Sequence, residues 1–268
     1  EQRRIVEIIE DHFSRLDATE ASLRGALSRG GALLRSALAH AFDGKVNAVP
    51  LGDLIDRVEA GKSLGGSARP RSDGEWGIIK VSAMTWGEFR PEENKMIPDH
   101  LADARYSISA GDLLLSRANT SEYVGASVYV RQCPEHLLLS DKSLRLRPRR
   151  GVHPEWLWRV LSSPRSRSQI SDAATGTKQS MRNISQGSLL RVLVPDPGGH
   201  LQDLEIENLN RIDEGCARLT NEVSHLGDQS SSLRRAILAA AFSGRLTGSA
   251  SDADRIEELA SAAPPRAD

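Results

Sequence analysis

Cysteine is close to absent from this sequence: Cys133 and Cys216 lie far apart, and neither belongs to a Cys-x-x-Cys pair. That excludes a disulfide framework and a thiolate metal site, and it makes a reducing cytoplasm the expected compartment. Long apolar runs are missing too. Nothing approaches the roughly 20 residues of a membrane span, and no secretory pattern opens the chain. Catalytic signatures are lacking as well. Gly61-Lys62-Ser63 ends like a phosphate-binding loop, but that pattern needs glycine five residues before its Gly-Lys, and Asp56 stands there. The seven histidines never form a His-Glu-x-x-His couplet, and there is no Gly-x-Ser-x-Gly elbow, Gly-x-Gly-x-x-Gly loop or Asn-Pro-Pro-Tyr motif for holding a flipped adenine. These absences point to a protein that binds rather than catalyses, with no metal site and no cofactor of its own. The first residue is Glu1 rather than Met, so a fragment or processed chain is expected.

What is present is a sentence written twice. "LLRSALAHAFDGKV" at 33–46 returns as "SLRRAILAAAFSGRLTG" from Ser232, with Leu33/Leu233, Arg35/Arg235, Leu38/Leu238, Ala39/Ala239, Ala41/Ala241, Phe42/Phe242 and Gly44/Gly244 in register. Upstream of each copy runs a seam of alternating three- and four-residue steps: Ile5, Ile9, Leu16, Leu23 and Leu33 in the first, and Ile206, Leu209, Ile212, Cys216, Leu219, Val223, Leu226, Leu233 and Ile237 in the second. Each predicts a helix of about 35 to 40 residues, roughly 55 Å long. Both end at Phe-x-Gly followed by a cation, which reads as a left-handed glycine cap. One apolar seam does not stabilise a lone helix of this length, so the two are expected to pair. The residues expected to pair them are Leu16, Leu23, Leu33, Leu38 and Phe42 with Leu219, Val223, Leu226, Leu233, Ile237 and Phe242.

Between the helices the period changes. "LGDLIDRVEAG" reads as a short amphipathic helix, whereas "WGIIKVSAM", "GDLLLSRAN", "ASVYVRQ", "HLLLSDKSLRLR" and "LLRVLVP" read as strands. His153-Pro154-Glu155 opens a helix, and Pro164 starts or kinks a second piece reaching about Ala173. Charge is uneven: residues 1–46 carry 7 basic and 7 acidic groups, residues 47–198 carry 21 and 17, and residues 199–268 carry 7 and 12. Within the middle, residues 142–191 hold eleven Lys or Arg against Glu155 and Asp172. Such a segment suggests a polyanion partner; the alternative is a solvated face neutralised by carboxylates elsewhere in the fold.

Three polar loops carry the side chains that hydrogen-bond to base edges. "TGTKQSMRN" offers Lys178, Gln179, Ser180, Arg182 and Asn183; "SRANTSEY" offers Arg117, Asn119 and Thr120; "GKSLGGSARPRSDG" brings Lys62, Arg69 and Arg71 on a glycine-rich tether that reads as mobile. Arg149 and Arg150 read as phosphate contacts that position without specifying. Solvent-exposed turns are the bland alternative for all of them.

The opening "EQRRIVEIIEDHFSRLDA", the "AFDGKV" and "AFSGRLTG" endings, and a domain of about 150 residues beginning "VPLGDLI" together resemble the DNA-specificity subunit of type I restriction and modification systems, over about residues 1 to 248. In that family two target-recognition domains alternate with two helical spacers, and this chain resembles the second half. The resemblance implies an α+β fold: one recognition domain at 47–198 with a mixed or antiparallel sheet, and helical spacers at 1–46 and 199–248 packed as a coiled-coil pair; residues 249–268, beyond it, read as a flexible tail. It also implies the partners. They are double-stranded DNA, a methyltransferase subunit and, through it, a restriction subunit, with S-adenosylmethionine and ATP used in those partners. The chain departs from the pattern by lacking a first recognition domain. A natural half-length subunit is expected to homodimerise through its helices, whereas a fragment stays monomeric or pairs artificially. A helical scaffold or oligomerisation protein with an inserted protein-binding domain is the alternative.

Overall fold

A computed structural model describes residues 2–42, 47–85, 87–178, 181–199, 201–246 and 251–262. The fold is α+β and comprises two compact units, one of residues 35–210 and one of residues 1–34 with 211–268. Each repeat lies in a helix of 41 residues, α1 (Gln2–Phe42) and α5 (Gln202–Phe242). The last turns of α1 and the first turns of α5 therefore belong to the central unit.

The strands of the central unit begin and end in a clasp. Strand β1 (Ala48–Pro50) pairs antiparallel with β12 (Leu193–Pro195), and the bonds Asp196 N–H to Asn47 O and Leu51 N–H to Val192 O, both 2.8 Å, extend the ladder at either end. Between them lies a four-stranded antiparallel sheet in the order β2 (Ile55–Ala60), β9 (Ser143–Pro148), β5 (Leu113–Ser116), β7 (Ser127–Tyr129). Leu113, Leu114 and Leu115 are all buried, so β5 is covered on both faces, as a continuous apolar run requires. A second sheet places β3 (Trp76–Ile79) between antiparallel β4 (Asn94–Ile97) and parallel β8 (Leu137–Leu138).

Helix α2 (Pro154–Ser162) lies against β7, where Trp158 Nε1 donates to Ser127 O at 3.0 Å; Trp156, Leu157, Val160 and Leu161 are buried as well, and Pro164 opens α3 (Pro164–Ala173), as its position predicts. Trp156 receives Phe42 edge to face, with ring centroids 5.9 Å apart and planes at 89°, while its indole N–H donates to Glu205 at 2.6 Å. Phe42 and buried Leu38 thus serve the central unit, not the pairing of the helices as expected.

Leu51–Gly61 is not a helix. It forms one short turn and then β2, because Glu59 sits opposite Arg145 and Val58 opposite Leu146 on the edge of β9. The ladder and the cross-strand ion pair outweigh a weak amphipathic pattern. The glycine-rich tether is likewise pinned rather than mobile. Ser67 N–H donates to Met96 O, and Met96 N–H donates to Arg69 O, each at 3.0 Å along the edge of β4.

The other unit is an antiparallel helix pair. Cys216 Sγ lies 3.4 Å from Gly30 O, Ser230 Oγ donates to Glu20 at 2.8 Å, and Arg234 bonds Asp17 at 2.6 Å. The small Gly30 admits Cys216 and Leu219. At the far end Ile237, Ala240 and Leu246 are buried with Ile5, Ile8, Ile9 and Phe13 packed against them. Residues 251–262, expected as part of a flexible tail, form helix α6 (Ser251–Ala262), whose Ile256 and Leu259 join this cluster. The i, i+3 spacing of those two apolar residues supplies the missing face.

Of the expected pairing residues in this unit, Ile237 is buried and Leu16, Leu23, Leu219, Val223 and Leu233 are half-buried. Leu33, Leu226 and Phe242 are exposed, Phe242 by 89%. Leu16, Leu23, Leu226 and Leu233 line a groove around Ser230 and Glu20, where a polar bond replaces an apolar seam contact, so the packing stays open there. Helix α5 ends as its sequence predicts. Gly244 has φ +70°, its N–H reaches Ala241 O at 3.2 Å, and Arg245 N–H reaches Ala240 O at 2.9 Å, the bond pattern of a Schellman cap. The matching Asp43-Gly44-Lys45 lies outside the described residues.

Candidate nucleic-acid interface

Two of the polar loops meet in one small sheet. Strand β11 (Met181–Asn183) lies between β10 (Thr175–Lys178) and β6 (Ala118–Asn119), with Arg182 opposite Asn119 and Asn183 opposite Ala118. Ile184 N–H also donates to Arg117 O at 2.9 Å. The turn at 140–143 joins the arrangement: Arg117 N–H donates to Lys142 O at 2.9 Å, and Ser116 pairs with Ser143. The start of the third loop reaches the same turn, because Lys62 bridges Ser140 and Gly61 N–H donates to Ser143 O. Only glycine fits at position 61, since a side-chain carbon there would lie 2.2 Å from Leu139 O.

The expected residues fare differently within this frame. Asn183 is exposed, and its amide makes no hydrogen bond among the described residues. Arg117 is half-buried, and its guanidinium has no partner among the described residues. Asn119 is half-buried: its Oδ1 accepts from Thr120 N–H at 2.8 Å, and its Nδ2 lies 3.5 Å from Ser116 Oγ. Thr120 Oγ1 is buried without a partner among the described residues, and the Thr120 carbonyl closes the 120–124 turn by accepting from Tyr123 and Val124. Lys62 is exposed near Asp103. Gln179, Ser180 and the side chain of Lys178 lie outside the described residues.

Arg182 is turned inward, contrary to a role as a free base reader. Its Nη2 donates to Ser171 O at 3.4 Å and to Ala174 O, capping the end of α3 with a cation at its negative pole. Arg69 and Arg71 are engaged elsewhere. Arg69 makes a two-pronged pair with Glu75 at 2.6 and 2.7 Å, and Arg71 Nη1 donates to Glu75 O at 3.1 Å. The hydrogen bond from Arg69, then that from Ser72 N–H, holds the Glu75 carboxyl down to about 2. Arg149 and Arg150 are exposed but stand at the opposite end of β9 from the 140–143 turn, about 20 Å along a six-residue strand. Arg149 Nε donates to Ile55 O at 3.3 Å.

The basic segment is thus partly internal. Arg145 is buried and bonds Glu59 at 2.6 Å and Asp112 at 3.1 Å, and Arg147 bonds Asp112 at 2.7 Å. Burial pushes the Glu59 carboxyl up, but the bond from Arg145 and the charges of Arg145, Arg147 and Arg57 outweigh it, leaving the group below its ordinary value. Arg159 is buried over the Trp158 ring, 4.1 Å from its centroid, and bonds Asn210 at 2.6 Å. Arg167 donates to Glu122 O at 3.0 Å, and burial depresses its pKa. Lys142, Arg150 and Arg165 are exposed and make no side-chain hydrogen bond or ion pair among the described residues. Lys142 is the residue that reading the loops missed; its Asp-Lys turn between two strands was the available signal. Among the described residues no group of three His, Cys, Asp or Glu could hold a metal ion, and no helix is long and apolar enough to cross a membrane.

Comparison with known proteins follows the same line. The chain is 26% identical over 176 residues to the type I restriction enzyme EcoEI specificity subunit of Escherichia coli, covering 65% of this chain and 30% of that protein. It is 24% identical over 261 residues to the EcoKI specificity subunit of Escherichia coli K12, covering 92% and 56%. Among solved structures, the HsdS subunit of Thermoanaerobacter tengcongensis superposes with a TM-score of 0.56 at 21% identity, covering 91% of this chain and 58% of that one. A solved chain of a type I R-M system does so with a TM-score of 0.64 at 22% identity, covering 90% and 58%. No family model matches the sequence. The resemblance to type I specificity subunits is borne out, and with it the fold; the chain spans about half the length of the EcoKI subunit.

Proposed function

We propose that the chain acts as a DNA-specificity subunit of a type I restriction and modification system, or as the corresponding part of a longer one, and is not itself catalytic. Its central unit reads one half of a bipartite target in duplex DNA. The paired helices dock the methyltransferase subunit and, through it, the restriction subunit. S-adenosylmethionine and ATP are used in those partners, and the complex works in the cytoplasm. A bipartite target requires two recognition domains; a half-length subunit obtains the second by homodimerising through its helices.

The observation that supports this reading is the convergence of three distant chain segments at the 140–143 turn, where Lys62, Arg117, Asn119, Lys142 and Asn183 come from four different stretches of sequence. Cations without carboxylate partners suit phosphate oxygens, and amides suit base edges. The test is binding of the full chain to labelled duplex across a salt series, alone and with the methyltransferase subunit. Affinity that falls steeply as salt rises supports the proposal, because phosphate contacts release counterions. Salt-insensitive binding to a protein, with no affinity for DNA in either setting, overturns it in favour of a helical scaffold.

A further inference from the structure

Met181 is 57% exposed in a protein whose described methionines and leucines are mostly covered. It opens the middle strand of the small sheet β10–β11–β6, and β11 is exposed, half-buried, exposed along its three residues. Side chains of a strand alternate between faces, so Met181 and Asn183 share the outward face, while Arg182 between them points back to the end of α3. An amide with no hydrogen bond among the described residues and an unbranched apolar side chain therefore stand side by side on this face. Solvent gives no reason for the methionine. Its thioether cannot satisfy a phosphate, and its three rotatable bonds let it fit an irregular apolar contact.

Resting on the function proposed above, we infer that Met181 and Asn183 form a reading pair for A·T base pairs in the major groove. That groove admits a two-stranded ribbon and carries one apolar feature, the thymine 5-methyl group, which Met181 covers. Asn183 offers a donor and an acceptor matched to N7 and the 6-amino group of adenine. Alternate residues on a strand are about 6.6 Å apart, close to two base-pair steps of about 3.4 Å. The two contacts accordingly fall on the same A·T pair or on pairs no more than two apart.

The experiment starts from a pool of random-sequence duplexes, from which the full chain, with the methyltransferase subunit added, selects its bound sequence. That duplex is then remade with deoxyuridine for each thymine in turn, which removes only the methyl group, and with 7-deazaadenine for each adenine, which removes only N7. For the wild-type chain one thymine replacement is expected to weaken binding about tenfold, and one adenine replacement within two base pairs of it by a similar factor. Met181→Ala should lose the thymine effect and keep the adenine effect; Asn183→Ala should do the reverse; Met181→Leu should retain both. Wild-type indifference to every thymine replacement sinks the assignment, even though a selected sequence upholds DNA reading. So does a Met181→Ala chain that weakens equally on all duplexes, which would mark Met181 as a wedge between bases or a packing contact. A pool with no enriched sequence overturns the function and the reading pair together.

Discussion

Arg145 shows why counting charges along the chain overstated the surface. It lies 86 residues from Glu59 and 33 from Asp112, distances at which sequence gives no hint of pairing, yet the antiparallel ladder sets Glu59 directly opposite it. Its guanidinium also donates to Ser107 O at 2.6 Å and Arg105 O at 3.2 Å, so four acceptors depend on one side chain. Arg145→Leu leaves Asp112 buried with Arg147 as its remaining cationic partner, and is expected to cost about 3 kcal/mol, in the range for a buried pair that loses one member. Urea unfolding of the variant measures this; a loss below about 1 kcal/mol would show that the cluster is solvated and that Arg145 belongs with the surface cations. Arg182 teaches the same lesson over a shorter span. Its residue type suits a base edge, but the carbonyls of Ser171 and Ala174 at the end of α3 are within reach, and the helix end takes the cation first.

The elements divide by how locally they are determined. Helices α1 and α5 were legible because a three-and-four spacing over 41 residues admits one reading, and because glycine in the capping position marks the end of α5. The segment Leu51–Gly61 was misread since Leu51, Leu54, Ile55 and Val58 also fit a helical face; what decides it is the free edge of β9, ninety residues on. The sheet β6–β10–β11 was legible only as two polar loops, because strands of two to four residues with no apolar alternation leave no pattern to count.

The repeated word gives a contrast at this scale. Phe42 is 2% exposed against Trp156, whereas its counterpart Phe242 is 89% exposed. Phe42→Ala should therefore destabilise the central unit by about 3 to 5 kcal/mol, and Phe242→Ala should change stability by no more than about 0.5 kcal/mol. Chemical unfolding of both variants, followed by tryptophan fluorescence, compares them directly; equal losses would mean that the two ends of the repeat are packed alike.

For the molecule as a whole, the eleven cations of residues 142–191 do not act as one field. Arg145, Arg147, Arg159, Arg167 and Arg182 are buried or half-buried and bonded within the central unit, which leaves five exposed among the described residues, Lys142, Arg149, Arg150, Arg165 and Arg191, for an external polyanion. If all eleven met phosphates, the plot of log binding constant against log salt would slope at about −10; with five it slopes at about −4.5. A measured slope near −10 for this chain would mean that the internal bonds open on binding.

The clasp of β1 and β12 has a consequence for inheritance. The chain enters the sheets of the central unit at Asn47 and leaves them at Asp196 through neighbouring positions on one ladder, and every segment of the proposed interface lies between those two points. A crossover near each strand could exchange the whole intervening stretch while leaving the join the same width, whatever the length or sequence of the stretch received. Paired strands read mainly by their backbones make few demands on the side chains that arrive. The two repeated helices need not change when the address between them is rewritten.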